Sequence, residues 1–244
     1  MADYINKNIL SQSYVHVEPE WLTSLSGKDK AEKIEALKKI ITKHAQERMK
    51  FFLYDDIIVN VEFEEGSIKA KITAYGKVCV LLSALNPLGS AITQYSEYRD
   101  GIKTILSDVV KLSDMVNSEV LFQTDSRYKK EIIRIEARKG VIGSLHNINK
   151  KINDISNRTK NHKGNSPTLI YPMLLGLHKD ILGLMDNVND KDDKELVRTS
   201  LIDGIKKINL KVGFFDLTTP MAKKMHTELL AERKKLIKNL ERYK

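Results

Sequence analysis

Two hydrophobic periods alternate along the chain. Ile34, Leu37, Ile41, Ala45, Met49 and Phe52 recur at helical spacing, while Lys33, Lys38, Lys39, Lys43 and Glu47 fall largely elsewhere. This predicts an amphipathic helix over Asp29–Phe52. The period then drops to two. Ile57, Val59, Val61 and Phe63 alternate with Ile58, Asn60, Glu62 and Glu64; beyond Glu65-Gly66-Ser67, Ile68, Ala70, Ile72 and Ala74 alternate with Lys69, Lys71 and Thr73. Successive strand side chains point to opposite faces, so these runs predict a β-hairpin with one apolar face, turned at Gly66, with Glu62 and Glu64 facing Lys69 and Lys71. A lone hairpin is marginal in water, so it must pack on the preceding helix or join a sheet with another copy.

The helical period returns over Asp100–Phe122, with Ile102, Ile105, Leu106, Val109, Met115, Val116 and Val120 inward. From Thr124 the chain reads as a basic helix striped by Tyr128, Ile132 and Ile135. Gly140 and Gly143 break it, and Val141, Leu145, Ile148, Ile152 and Ile155 resume it at a 4-3-4-3 spacing too short for a coiled coil. Ser156–Asn165 reads as a linker. Ser166-Pro167 and Thr219-Pro220 are helix-start signals. Between and beyond them run three apolar stripes: Ile170 to Val188, Val197 to Ile208, and Met225 to Tyr243. The first 28 residues read as an irregular arm with one short helical turn at Pro19-Glu20-Trp21-Leu22. The expected fold is mainly α with one β-hairpin (α+β) and a helical bundle in the C-terminal half. Its expected segments are an arm (1–28), a helix/hairpin/helix region (29–123), a basic helical segment and linker (124–164) and the bundle (165–244).

Val78–Ser96 runs nineteen residues without a charge in a chain that is 30% charged. A membrane-spanning helix needs roughly 20 predominantly apolar residues, and Asn86-Pro87-Leu88-Gly89 interrupts this run. The segment therefore predicts a broken helical pair packed on the hairpin, with a surface for lipid or a protein partner as the alternative. Leu81, Leu82, Leu85 and Leu88, together with Trp21, are the candidate interface residues, although Trp21 reads first as an anchor onto the body.

Phe63-Glu64-Glu65-Gly66-Ser67-Ile68 and Gln94-Tyr95-Ser96-Glu97-Tyr98-Arg99-Asp100-Gly101-Ile102 flank this segment. The pattern resembles small bacterial accessory proteins, some in mobile or defence-type gene clusters, over about Ile57–Asp108. The resemblance implies an accessory or antiviral defence role and carries over no catalytic residue.

Net charge is +9, and it is concentrated: Arg127–Lys163 holds eleven Lys/Arg against three acids, and Met221–Lys244 holds eight against three. Arg127, Lys129, Lys130, Arg134, Arg138, Lys139, Lys150 and Lys151 are the candidate polyanion contacts, since phosphates are met by such long cationic side chains. Tyr128 is the lone aromatic among them, which leaves single-strand stacking without a platform.

Motifs for chemistry are sparse. There is no P-loop or Rossmann glycine pattern, and no His-x-x-His or His-Glu-x-x-His. Asp186–Glu195 lacks the glycine and the terminal glutamate of a calcium loop, and reads as a turn with Asp192 or Asp193 capping the next helix. No Glu-x-Lys falls on the hairpin after Asp55 and Asp56, and Arg158 with His162 sits in a loop-like context. Cys79 is the only cysteine, so it reads as a small core residue. An enzyme is not the favoured reading, and no cofactor or metal is expected. The start MADYINKNIL has no signal-peptide pattern, so the cytoplasm is the expected compartment, with peripheral membrane association the alternative. These features favour a non-catalytic interaction or assembly protein whose partner is a protein or a second copy of itself. A membrane-active effector acting through residues 78–96 and a nucleic-acid binder acting through residues 127–163 are the alternatives.

Overall fold

The computed structural model describes residues 7–53, 57–64, 68–85, 94–161 and 164–243, with backbone alone at 49, 52 and 53. The Glu65-Gly66-Ser67 turn, the Asn86–Gly89 interruption with Leu88, and His162 lie outside the described residues. Among the described residues are eight helices and one four-stranded antiparallel sheet, so the chain is mainly α with a β-sheet. It forms two compact units, Met1–Pro87 with Lys103–Gly143, and Leu88–Ile102 with Ser144–Lys244.

The first unit is built on the sheet. Its elements are β1 (Asn8–Val17), α1 (Trp21–Ser24), α2 (Gly27–Leu53), β2 (Ile58–Glu64), β3 (Ile68–Gly76), α3 (Val78–Ala84), α4 (Tyr95–Gln123) from Lys103 onward, and β4 (Ile132–Arg138). The strand order is β2-β3-β1-β4. The predicted hairpin is β2–β3, in a register that sets Glu62 against Lys71 and Glu64 against Lys69. The two ammonium groups lie 3.2 and 3.1 Å from their carboxylates. Val59, Val61, Ile68, Ala70, Ile72 and Ala74 are buried, as are Val15 and Val17 of β1. Each fully buried Val or Ile contributes about 1.5–3 kcal/mol. The helix α2 packs along β2 and buries Leu37, Ile41 and Ala45.

Two strands of this sheet differ from the sequence expectation. The arm contains β1, an inner strand paired with both β3 and β4. Within the expected basic helix, Lys129–Glu131 is a short 3-10 turn and Ile132–Arg138 is the edge strand β4. The physical reason is local. Asp125 takes a left-handed φ of 57°, and the buried Glu131 carboxylate accepts the backbone N–H of Arg127 (3.0 Å) and Tyr128 (2.8 Å). These contacts turn the chain before Ile132, Ile133 and Ile135, whose branched Cβ atoms suit a pleated strand.

The second unit is helical: the first turns of α4 (Tyr95–Ile102), α5 (Gly140–Asn161) from Ser144, α6 (Pro167–Asn187), α7 (Lys191–Lys206) and α8 (Pro220–Leu240). Ser166 and Thr219 are the N-caps of α6 and α8, as the sequence predicts, and Thr219 Oγ1 accepts the Ala222 N–H at 3.1 Å. At α7 the cap is Asp190 instead of Asp192 or Asp193; its carboxylate accepts both of their N–H groups at 3.0 Å. The helix α5 continues to Asn161, through most of the expected linker. Ile170, Leu174, Leu177, Ile181 and Leu184 of α6 are buried, with Val197, Leu201 and Ile205 of α7 and Leu229, Leu236 and Leu240 of α8. His178 of α6 is buried against the Glu232 carboxylate of α8, and its Nε2 lies 3.1 Å from Asn239 Nδ2. With Asn239 donating to Nε2, the imidazole proton sits on Nδ1 and goes to Glu232.

Candidate functional site

Sites that could meet a ligand or partner occur separately on the two units. On the first, β4 is an edge strand, with β1 as its one neighbour among the described residues. Its free row of backbone N–H and C=O groups is a template for another strand. Antiparallel pairing sets Arg134 against His16, Ile135 against Val15, Glu136 against Tyr14 and Arg138 against Gln12. Side chains paired this way share a sheet face. Arg134, Glu136 and Arg138 therefore share the polar face with Lys69, Lys71 and Tyr14, while Ile135 falls on the face of Val15. Ile135 nonetheless stays 44% exposed, and Ile133, the extra residue where the register shifts, is 52% exposed. Tyr128, just before the strand, is also exposed.

The candidate polyanion contacts fall into both units, Arg127 to Lys139 in the first and Lys150 and Lys151 in the second. Five of the eight are engaged with acids. Arg127 meets Asp125 at 2.7 Å and Lys130 meets Glu20 at 2.8 Å. Arg134 and Arg138 share Glu136, and Lys151 meets Asp180. The Arg138 hydrogen bond, reinforced by Arg134, holds the Glu136 carboxyl below its usual range. Lys129, Lys139 and Lys150 are exposed.

Of the candidate interface residues, Leu81 and Leu82 are buried core residues, Leu85 is half-buried and Leu88 lies outside the described residues. Trp21 is an anchor: its indole N–H donates to the Thr124 carbonyl at 2.8 Å, and the Lys33 ammonium sits 3.9 Å from the ring centre. No described helix is long and apolar enough to cross a membrane.

On the second unit a cleft of about 690 Å³ lies between the end of α7 and the middle of α8. Lys206, Lys207, Lys211 and Arg233 line it together with His226, and no carboxylate does. His226, Leu230 and Arg233 are spaced 0, 4 and 7 along α8, which sets them on one helix face. His226 is buried, and its Nε2 donates to the Leu210 carbonyl at 3.0 Å. Arg233 donates one N–H to the Ile208 carbonyl at 2.9 Å, and desolvation lowers its pKa from the ordinary arginine value. Sequence reading registered the charge excess of 221–244 but not this cleft, because its lysines come from the end of α7 and the loop after it, which only the fold brings to α8. Compared with protein-family models, with curated proteins and with solved structures, the chain matches none.

Proposed function

We propose that this chain is a non-catalytic assembly protein that extends its sheet by pairing β4 with the β4 of a second copy. The order of charges on that edge carries the reading. When two β4 strands pair antiparallel about Ile135, each Arg134 faces the other copy's Glu136, Ile135 faces its counterpart and Ile133 faces Ala137. Moving the centre one residue toward the N-terminus sets Arg134 against Arg134. Moving it one residue the other way sets Glu136 against Glu136 and Arg134 against Arg138. Opposite charges across a strand pair stabilise and like charges destabilise, by about 0.2–1 kcal/mol each, so one centring is favoured over its neighbours. The exposed Ile133 and Ile135 supply apolar area to the same contact.

This places the joining surface on β4 instead of on Leu81, Leu82, Leu85 and Leu88. The nucleic-acid reading draws less support, because five of its eight cations already face acids. The membrane reading draws less support because Leu81 and Leu82 are core. A role as a bacterial accessory component agrees with the resemblance over residues 57–108.

A ladder of about five residue pairs belongs with small, transient interfaces, below the roughly 1,200–2,000 Å² of stable complexes. The test is sedimentation velocity over a concentration series. The mass should rise from the 27.9 kDa of one chain toward twice that value. Arg134→Glu and Glu136→Arg should each weaken association, and the double exchange should restore it. A mass fixed at one chain throughout, or an association indifferent to both exchanges, sinks the proposal.

A further inference from the structure

The cleft at the end of α7 carries more positive charge than its structural surroundings use. Lys207 is engaged by Asp203 at 2.8 Å. Lys206 and Lys211 are exposed and have no carboxylate partner among the described residues. Arg233 is half-buried, and its one hydrogen bond goes to the Ile208 carbonyl. Closing a helix end explains part of this arrangement. The C-terminus of a helix carries only about half a negative charge, and one of the five guanidinium N–H donors suffices for the Ile208 carbonyl. Three cations without acids therefore converge on one concavity, and one of them is partly desolvated. Removing a charge from water without a counter-charge is costly, and an anion in the cleft relieves that cost.

The apolar lining narrows the ligand. Val212 is 62% exposed and Leu230 38% exposed at the same cleft. Bare inorganic phosphate has no use for them, and the cleft volume falls within the range of about 300–1,000 Å³ of small-molecule sites. We propose that the cleft binds a small organic phosphate, with the phosphate on Lys206, Lys211 and Arg233 and the carbon portion against Val212 and Leu230. Guanidinium suits a phosphate through its paired N–H donors, and the lysines act as mobile point charges. This site is independent of β4 pairing.

Isothermal titration of the full chain at low salt, with phenyl phosphate and inorganic phosphate as probes, tests the idea. Phenyl phosphate should bind more tightly than inorganic phosphate. The double variant Lys206→Ser/Lys211→Ser, which leaves the Arg233 hydrogen bond in place, should weaken phenyl phosphate by about tenfold or more, the scale of one lost charge-assisted contact. Leu230→Ser should weaken phenyl phosphate and leave inorganic phosphate unchanged. Lys150→Ser/Lys160→Ser, which removes the same charge from α5, should change neither. Absence of heat with both probes at millimolar concentration, or equal losses in the two double-lysine variants, overturns the site. Equal affinity for the two probes overturns the organic part of the assignment.

Discussion

At the scale of single residues, burial without partners makes the sharpest forecasts. Tyr98 is wholly buried, and its hydroxyl has no hydrogen-bond partner among the described residues. An unmet buried hydroxyl costs about 1–3 kcal/mol, so Tyr98→Phe should leave stability unchanged or raise it by about 1 kcal/mol, read as a gain of roughly 2–4 °C in Tm. Its alkaline behaviour follows from the same burial. Burial pushes the Tyr98 phenol well above its ordinary value of 10.0, with Tyr95 and Asp193 adding to the rise. Tyr95 is also raised, by burial above all, with Arg99 opposing the rise and Asp203 adding to it. Above pH 10 the unfolded chain releases these protons while the folded one keeps them, so the unfolded state gains and stability falls as pH climbs. Urea titrations between pH 9 and about 11 should show that decline, and Tyr98→Phe should make it shallower. A decline of the same slope in the variant would assign it to other groups.

Between elements, the junction of β4 and α5 is set by one glycine. Gly140 holds φ at 51°, and a Cβ there would lie 2.3 Å from the Ile9 carbonyl oxygen and 2.6 Å from that of Leu10. A left-handed backbone costs an L-residue about 1–2 kcal/mol before any overlap is counted. Gly140→Ala should therefore destabilise by about 2 kcal/mol or more, seen as a lower urea midpoint, whereas Gly176→Ala, which meets open space within α6, should not. The sequence reads Gly140 as a break in a helical pattern, and it is the hinge from strand to helix. Helices α6 and α8 were legible because their signals are local: an N-cap, a proline and a stripe at one spacing. The hairpin was legible for the same reason, its strands being neighbours in the chain. Strands β1 and β4 were not, because their partners are distant, as the pairing of Gln12 with Arg138 shows. Tyr128, Ile132 and Ile135 fit a helical stripe as well as Ile133, Ile135 and Ala137 fit a strand, and the turn at Asp125 and Glu131 together with the pairing to β1 decides between them. The Leu81 and Leu82 run was legible as apolar and, first, as packed on the hairpin, although the same leucines are also interface candidates; both are buried. The cleft cations at Lys206, Lys211 and Arg233 were invisible as a group.

At the scale of the whole molecule, ion pairs among the described residues offset part of a large formal charge excess. Part of the excess in 127–163 is met from outside the segment by Asp125, Glu20 and Asp180, while Lys129, Lys139 and Lys150 stay exposed. The acidic residues of β2 bear on the proposed assembly as well. A sheet with two adhesive edges polymerises without limit, whereas one with a single adhesive edge stops at two copies. Once two β4 strands have met, the outer rims of the resulting eight-stranded sheet are both β2, whose only charged residues are Glu62 and Glu64. In the proposed pairing two such rims would bring glutamates of two copies together, which opposes joining to the extent that Lys69 and Lys71 leave their charge unmet. Glu62→Val/Glu64→Val should remove that barrier, and light scattering should then climb with time in a variant whose parent stays clear. The glutamates that sequence reading assigns to ion pairs with lysine would thus also serve as end-stops, holding the proposed β4-paired assembly at two copies.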